Sequence, residues 1–165
     1  MKRITRTCEV KAGVRRTYVF KSKREIWMSL LLERLVLQGS VIKWWYEPHE
    51  FRCGRKYRKD RFYTPDFLAH LNPVHDVFDT GTKSVWIEVK DALNQDGKSR
   101  FHWLSQTYPF FHDIMLLMVD RNPRKGRNSK TAQRQIVLQD GACRWIKRVL
   151  YGADWYPIFG IQTKE

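Results

Sequence analysis

An α/β domain is the fold class that this sequence predicts: a mixed β-sheet flanked by helices, in the order αβββαβ, with a C-terminal extension. Three observations predict it. A capped, apolar-striped helix opens the patterned region. Aromatic and β-branched segments broken by Gly, Pro and charge clusters follow it. Later comes HDIMLLMVD (112–120), a short and nearly continuous apolar run of the kind found in strands covered on both faces. The 165 residues suit one domain, and a content of 42% hydrophobic and 14% aromatic residues supplies a core.

The first helix is SKREIWMSLLLERLVLQG (22–39). Ser22 stands at the N-cap, Glu25 follows at capping-box spacing, and Ile26, Trp27, Leu30, Leu31, Leu35 and Val36 recur at helical intervals up to Gly39. SVIKWWYEP, HEFRC and DRFYTPDFLAHL read as strands joined by turns, and KSVWIEVKD as a further strand. DGKSRFHWLSQTYP (96–109) carries Phe101, Leu104 and Tyr108 on one helical face and stops before Pro109. The core is thus expected over about 20–120. RNPRKGRNSK (121–130) lacks apolar periodicity and reads as a mobile basic surface loop, and 131–165 as a C-terminal appendage with a strand at RQIVLQ and a helix at CRWIKRVLYG.

Charge narrows the partner. Thirty-one Lys and Arg against 17 Asp and Glu leave +14, a field that concentrates polyanions and provides the counterion release on which nucleic-acid affinity depends. Basic residues are densest in VRRTYVFKSKR (14–24), RCGRKYRKDR (52–61) and the 121–130 loop, so Arg55, Lys56, Arg58, Arg124 and Lys125 are expected at a phosphate-tracking groove. Nothing suits a membrane partner: there is no basic amphipathic helix, no apolar run long enough to span, and no signal-like apolar stretch after the basic start. Cys8, Cys53 and Cys143 lack metal-ligand spacing and read as thiols of a reducing, cytoplasmic compartment. His49, His70, His75, His102 and His112 form no ligand cluster, with His102 expected on a helix surface or facing DNA; Trp44, Trp45 and Trp86 read as packing residues.

Three charges in apolar surroundings point to chemistry. Alternation along SVWIEVKD turns Val85, Ile87 and Val89 to one side and Trp86, Glu88 and Lys90 to the other. Asp66 follows Thr64-Pro65, where the proline ends a ladder and leaves the carboxylate at a strand edge. If the two strands pair, Asp66 and Glu88 offer hard oxygens to one cation such as Mg²⁺, with the Val89 carbonyl as a further ligand and Lys90 beside the attacking water.

Pro65-Asp66 with Glu88-Val89-Lys90 resembles the signature of the PD-(D/E)xK nucleases, the restriction-endonuclease-like superfamily, over about 22–120. Within it, the segments before and after the motif resemble small phage and mobile-element enzymes: endonuclease I-type Holliday-junction resolvases and transposon-end nucleases. The resemblance implies a Mg²⁺-dependent DNA endonuclease, Mn²⁺ substituting, in a bacterial or phage-infected cell. Asp66 and Glu88 would be ligands and Lys90 would assist the water. An acid from the first helix would join them: Glu25, which a capping box explains equally, or Glu33. Lys98 and Arg100 would touch phosphates from the helix bordering the site. The long spacer after Asp66 departs from the pattern and lets Asp76 or Asp79 compete as ligands. Branched DNA would be the substrate and a homodimer or larger nucleoprotein assembly the working form, with WYPIFGIQ (155–162) and the tryptophan-rich hairpin as contact surfaces. The alternatives are a non-catalytic nucleic-acid-binding module on such a scaffold and a sequence-specific transposon or restriction nuclease.

Overall fold

The computed structural model describes residues 3–56, 59–125 and 129–162, without the side chains of 55, 56 and 59. Two strands not anticipated from the sequence come first. β1 (Ile4–Lys11) and β2 (Val14–Phe20) form an antiparallel hairpin that buries Cys8, Val10 and Phe20, points Arg6 in toward Ser29 and Glu33 of the following helix, and exposes Lys11, Arg15 and Arg16. One wet face hides the strand signal behind charge. α1 (Lys23–Leu37) follows as expected: the Glu25 N–H donates to Ser22 Oγ at 3.2 Å, and Gly39 adopts φ 76°, the left-handed geometry that ends a helix.

Next come β3 (Val41–Tyr46), β4 (Phe51–Lys56), β5 (Lys59–Tyr63) and β6 (Phe67–Leu71). The single strand expected over DRFYTPDFLAHL is two. β5 pairs with β4 in a separate hairpin, while β6 pairs with β3, because Pro65 between them has no N–H to carry a ladder through. β7 (Ser84–Lys90), α2 (Gln95–Thr107), the single turn α3 (Phe111–Ile114) and β8 (Met115–Val119) complete the part expected as core.

The tail departs from expectation. RQIVLQ lies inside a helix, α4 (Lys130–Ala142), and CRWIKRVLYG ends in a strand, β9 (Arg148–Tyr151), followed by the turn α5 (Gly152–Trp155). β8 and β9 run parallel, and parallel neighbours need a crossover, which α4 provides. Ser129 Oγ caps it, accepting from the Ala132 N–H at 3.1 Å, and Gln135 exchanges two hydrogen bonds with the Leu93 backbone. Residues 131–162 supply an edge strand of the sheet and bury Tyr156 and Ile161, leaving Ile158 of WYPIFGIQ exposed; 163–165 lie outside the described residues. In the basic stretch before them, Pro123–Lys125 form a 3₁₀ turn, and 126–128 lie outside the described residues.

The result is an α/β fold with a mixed five-stranded sheet in the order β3-β6-β7-β8-β9, antiparallel from β3 to β7 and parallel from β7 to β9. Helices cover both faces. Met28, Leu35, Trp44, Phe67 and Ile87 share one core with α1 and the N-terminal hairpin, and Trp86, Phe101, Leu104, Leu117 and Leu138 share the other with α2 and α4. Among the described residues, no helix is long and apolar enough to cross a membrane.

Candidate functional site

The site lies where β6 begins and β7 ends. Phe67 pairs with Ile87, so the residue before Phe67 is level with the residue after Ile87: Asp66 stands opposite Glu88. Because β6 stops there, the backbone of Val89 faces no strand on that side. Its N–H donates to Asp66 Oδ2 at 2.7 Å, and its carbonyl points to the same side of the strand. Glu88 is buried and its Oε1 pairs with the half-exposed ammonium of Lys90.

The electrostatics follow from crowding. Burial, then the carboxylate of Glu88, push the Asp66 carboxyl well above its ordinary value; Glu25 adds to this, while the Val89 N–H and the Lys90 charge oppose it. Burial alone would lower the Lys90 ammonium, but Glu88 and then Asp66 hold it above the ordinary lysine value. Glu88 Oε2 and the Tyr63 hydroxyl are both buried and neither completes a well-formed hydrogen bond among the described residues, although the Tyr63 hydroxyl lies close enough to Glu88 to be pushed far up by it, after burial. A buried carboxylate oxygen in that position is costly unless a cation or a closer approach of the Tyr63 hydroxyl meets it.

Glu25 is differently occupied. Its Oε2 accepts from the Lys21 N–H at 2.7 Å and from Tyr46 Oη at 2.6 Å, and its Oε1 from Ser22 Oγ at 2.9 Å. It is therefore a buried helix cap whose charge reaches Asp66, not a free ligand. Tyr46, pushed up by burial and by this bond, borders the candidate site and was missed by sequence patterning, as was Tyr63; for Tyr63 its place just before the Pro-Asp turn was the available signal. Glu33 is tied to the N-terminal hairpin, accepting from the Glu9 N–H at 2.7 Å and pairing with Arg6. Asp76 and Asp79 sit in the 72–83 loop at the far end of the β6–β7 pair, roughly 15 Å away at ~3.3 Å per strand residue. They do not compete for the site.

A cleft of about 160 Å³ opens between β7 and α2, lined by Tyr63, Glu88, Lys90, Asn94, Asp96 and Arg100 among others. Of the expected phosphate contacts, Arg100 faces this cleft, paired with Asp96 at 2.9 Å. Lys98 packs instead against Gly141 of α4, where a Cβ would lie 2.4 Å from its Nζ. Arg124 pairs with Asp140 and donates to Tyr151 Oη at 3.0 Å, and Lys125 meets Asp154 at 2.9 Å, so both cations are engaged within the fold. Arg58, and the side chains of Arg55 and Lys56, lie outside the described residues. His102 packs its ring 4.4 Å from that of Trp145 rather than facing outward.

The donor set fits a hard divalent ion that keeps several waters: two carboxylates, one with an oxygen free, and a carbonyl. Among the described residues no three His, Cys, Asp or Glu side chains converge as a metal cluster. Neither family models, curated proteins nor solved structures give a match to this chain.

Proposed function

We propose that the protein is a Mg²⁺-dependent DNA endonuclease of the PD-(D/E)xK type. The observation that carries the reading is the meeting of Asp66, Glu88 and Lys90 at one end of β6–β7, with a buried carboxylate oxygen left without a well-formed hydrogen bond. The order α1–β3–β6–β7–α2–β8, antiparallel through β7 and parallel at β8, supports reading the sheet as a restriction-endonuclease-like core.

Asp66, Glu88 and the Val89 carbonyl would hold the ion, which when bound makes a water acidic enough to attack at neutral pH. The chain's own groups do the rest. The Lys90 ammonium orients the water and offsets charge building on the phosphate, and Arg100 draws the backbone into the cleft. Water oxygen bonds to phosphorus, one P–O ester bond breaks, and the departing oxygen takes a proton, leaving a phosphate monoester and a hydroxyl. Glu25 holds the start of α1 against Tyr46 and so positions the wall beside Asp66. The net charge of +14 supports a nucleic-acid partner. Branched DNA, cut by two copies in phage-type recombination or processing, is the proposed substrate.

The experiment incubates the protein with Mg²⁺ or Mn²⁺ and linear, nicked or four-way DNA, beside Lys90→Ala and Asp66→Asn. Metal-dependent cutting lost in both variants is the expected result. Binding without cutting in the wild type would leave a nucleic-acid-binding module, and cutting untouched by either change would place the chemistry elsewhere.

A further inference from the structure

A second cleft adjoins the first. It measures about 340 Å³ and is lined by Arg61, Phe62 and Trp103 together with Tyr63, Asp96 and Arg100, the last three of which also line the candidate catalytic cleft. In its wall, where the β4–β5 hairpin meets α2, the Arg61 guanidinium carbon sits over the Trp103 indole, 3.5 Å from the ring centroid. Phe62, 55% exposed, stands at the rim.

An arginine resting on a tryptophan is often no more than a packing contact. Here three features go further. Arg61 remains half-buried and lines an open cleft, so the guanidinium is not sealed in by the protein. No carboxylate pairs with it among the ion pairs of the described residues. The cleft shares Tyr63, Asp96 and Arg100 with the candidate catalytic cleft, so the platform neighbours the place where the nuclease reading puts the scissile phosphate. Guanidinium planes and aromatic faces are what unstacked bases lie on, with little regard to sequence.

We infer that Arg61 on Trp103 is a base-stacking subsite for the nucleotide next to the scissile phosphate, and that the substrate must present an unpaired base there. Intact duplex, whose bases are already stacked, cannot use it; a flap, a gap or the centre of a junction can. The inference rests on the nuclease reading for the phosphate's place, but its test reads binding alone.

In EDTA, the fluorescence anisotropy of a labelled twelve-nucleotide oligodeoxyadenylate is compared with that of an abasic sugar-phosphate chain of equal length and charge. The wild type is expected to prefer the base-bearing chain about tenfold or more, the worth of one or two stacked bases. Arg61→Lys, which keeps the charge and removes the plane, and Trp103→Ala are expected to lose most of that preference while still binding the abasic chain. A wild type with no preference, a preference that survives Arg61→Lys, or an equal loss for both chains would overturn the subsite. Lys90→Ala separates the two ideas. If it abolishes cutting while Arg61→Lys leaves base preference intact, the nuclease reading stands and the subsite fails. If nothing cuts but the preference is present and lost in Arg61→Lys, the base-stacking platform stands, its place beside a scissile phosphate falls, and the nuclease reading fails.

Discussion

The two ends of the β6–β7 pair carry the same kind of residue to opposite purposes. At the loop end, Asp76 is fully employed: Oδ2 accepts from the Thr80 N–H at 2.7 Å and the Gly81 N–H at 2.6 Å, fixing the turn that lets Ser84 start β7. At the other end Asp66 has one backbone N–H, a neighbouring carboxylate and a second acid within electrostatic reach, and Glu88 has a buried oxygen that completes no well-formed hydrogen bond. A carboxylate whose bonds are all made locally stabilises a turn. A carboxylate set against others of its own sign lowers stability and gains binding capacity. The contrast rests on how each carboxylate is partnered, not on acidity alone, and it is why the proposed site is placed at the Asp66 end.

The largest effect expected is on turnover. Lys90→Ala and Asp66→Asn should each lower metal-dependent cleavage by about a thousandfold, whereas Asp76→Asn should leave cleavage within about threefold of the wild type; a gel assay on junction DNA reads both. Loss of cutting in Asp76→Asn, in protein still folded by circular dichroism, would erase the contrast.

Stability should move with opposite signs. In EDTA, Asp66→Asn removes a charge from a crowded site and keeps an oxygen for the Val89 N–H, so unfolding should become harder by ~1 kcal/mol. Asp76→Ala strips two N–H groups of their acceptor and should cost about 1–2 kcal/mol. Urea titrations of the two variants decide it, and a shift of the same sign in both would mean that the Asp66 end is merely structural.

The pH dependence has a definite sign. The folded Asp66 carboxyl holds its proton more tightly than the unfolded one. Its contribution to metal-free stability is therefore complete below the ordinary aspartate value near 4 and is lost as the pH rises through the raised folded value. A divalent ion must displace that proton at low pH and need not at high pH. The rise in Tm given by millimolar Mn²⁺ should therefore grow from pH 5 to pH 8 in the wild type and stay flat in Asp66→Asn; a rise independent of pH in the wild type would remove the ion from Asp66.

The contrast also explains how much the sequence disclosed. α1 was legible because its signals are local: Ser22, Glu25 and Gly39 act within a few residues of themselves. Asp66, Glu88 and Lys90 were legible because strand alternation and one proline fix which way side chains face. The capping role of Glu25 was legible from Ser22, but its other partners, Tyr46 and the Lys21 backbone, come to it only in the folded chain. RQIVLQ has the β-branched content of a strand, yet the demand for a crossover between parallel β8 and β9 makes it helical. The N-terminal hairpin was concealed because its buried positions are few and its wet face is basic.

The smallest effect tests the reading of charge itself. Counted from the sequence, Arg124 is one more cation in a basic run, and its loss should weaken DNA binding as much as that of any other. In the fold, its guanidinium is joined to Asp140 and Tyr151, so replacing it removes a positive charge that a carboxylate already offsets. Arg100 also has an acid beside it, Asp96, but it lines both clefts. Arg124→Ala should therefore change affinity for junction DNA by less than about twofold and cost under ~1 kcal/mol of stability, as exposed ion pairs do. Arg100→Ala should weaken binding several-fold and reduce the slope of log K against log salt by about one. Equal losses would mean that net charge, and not the cleft, governs how the protein holds its nucleic acid.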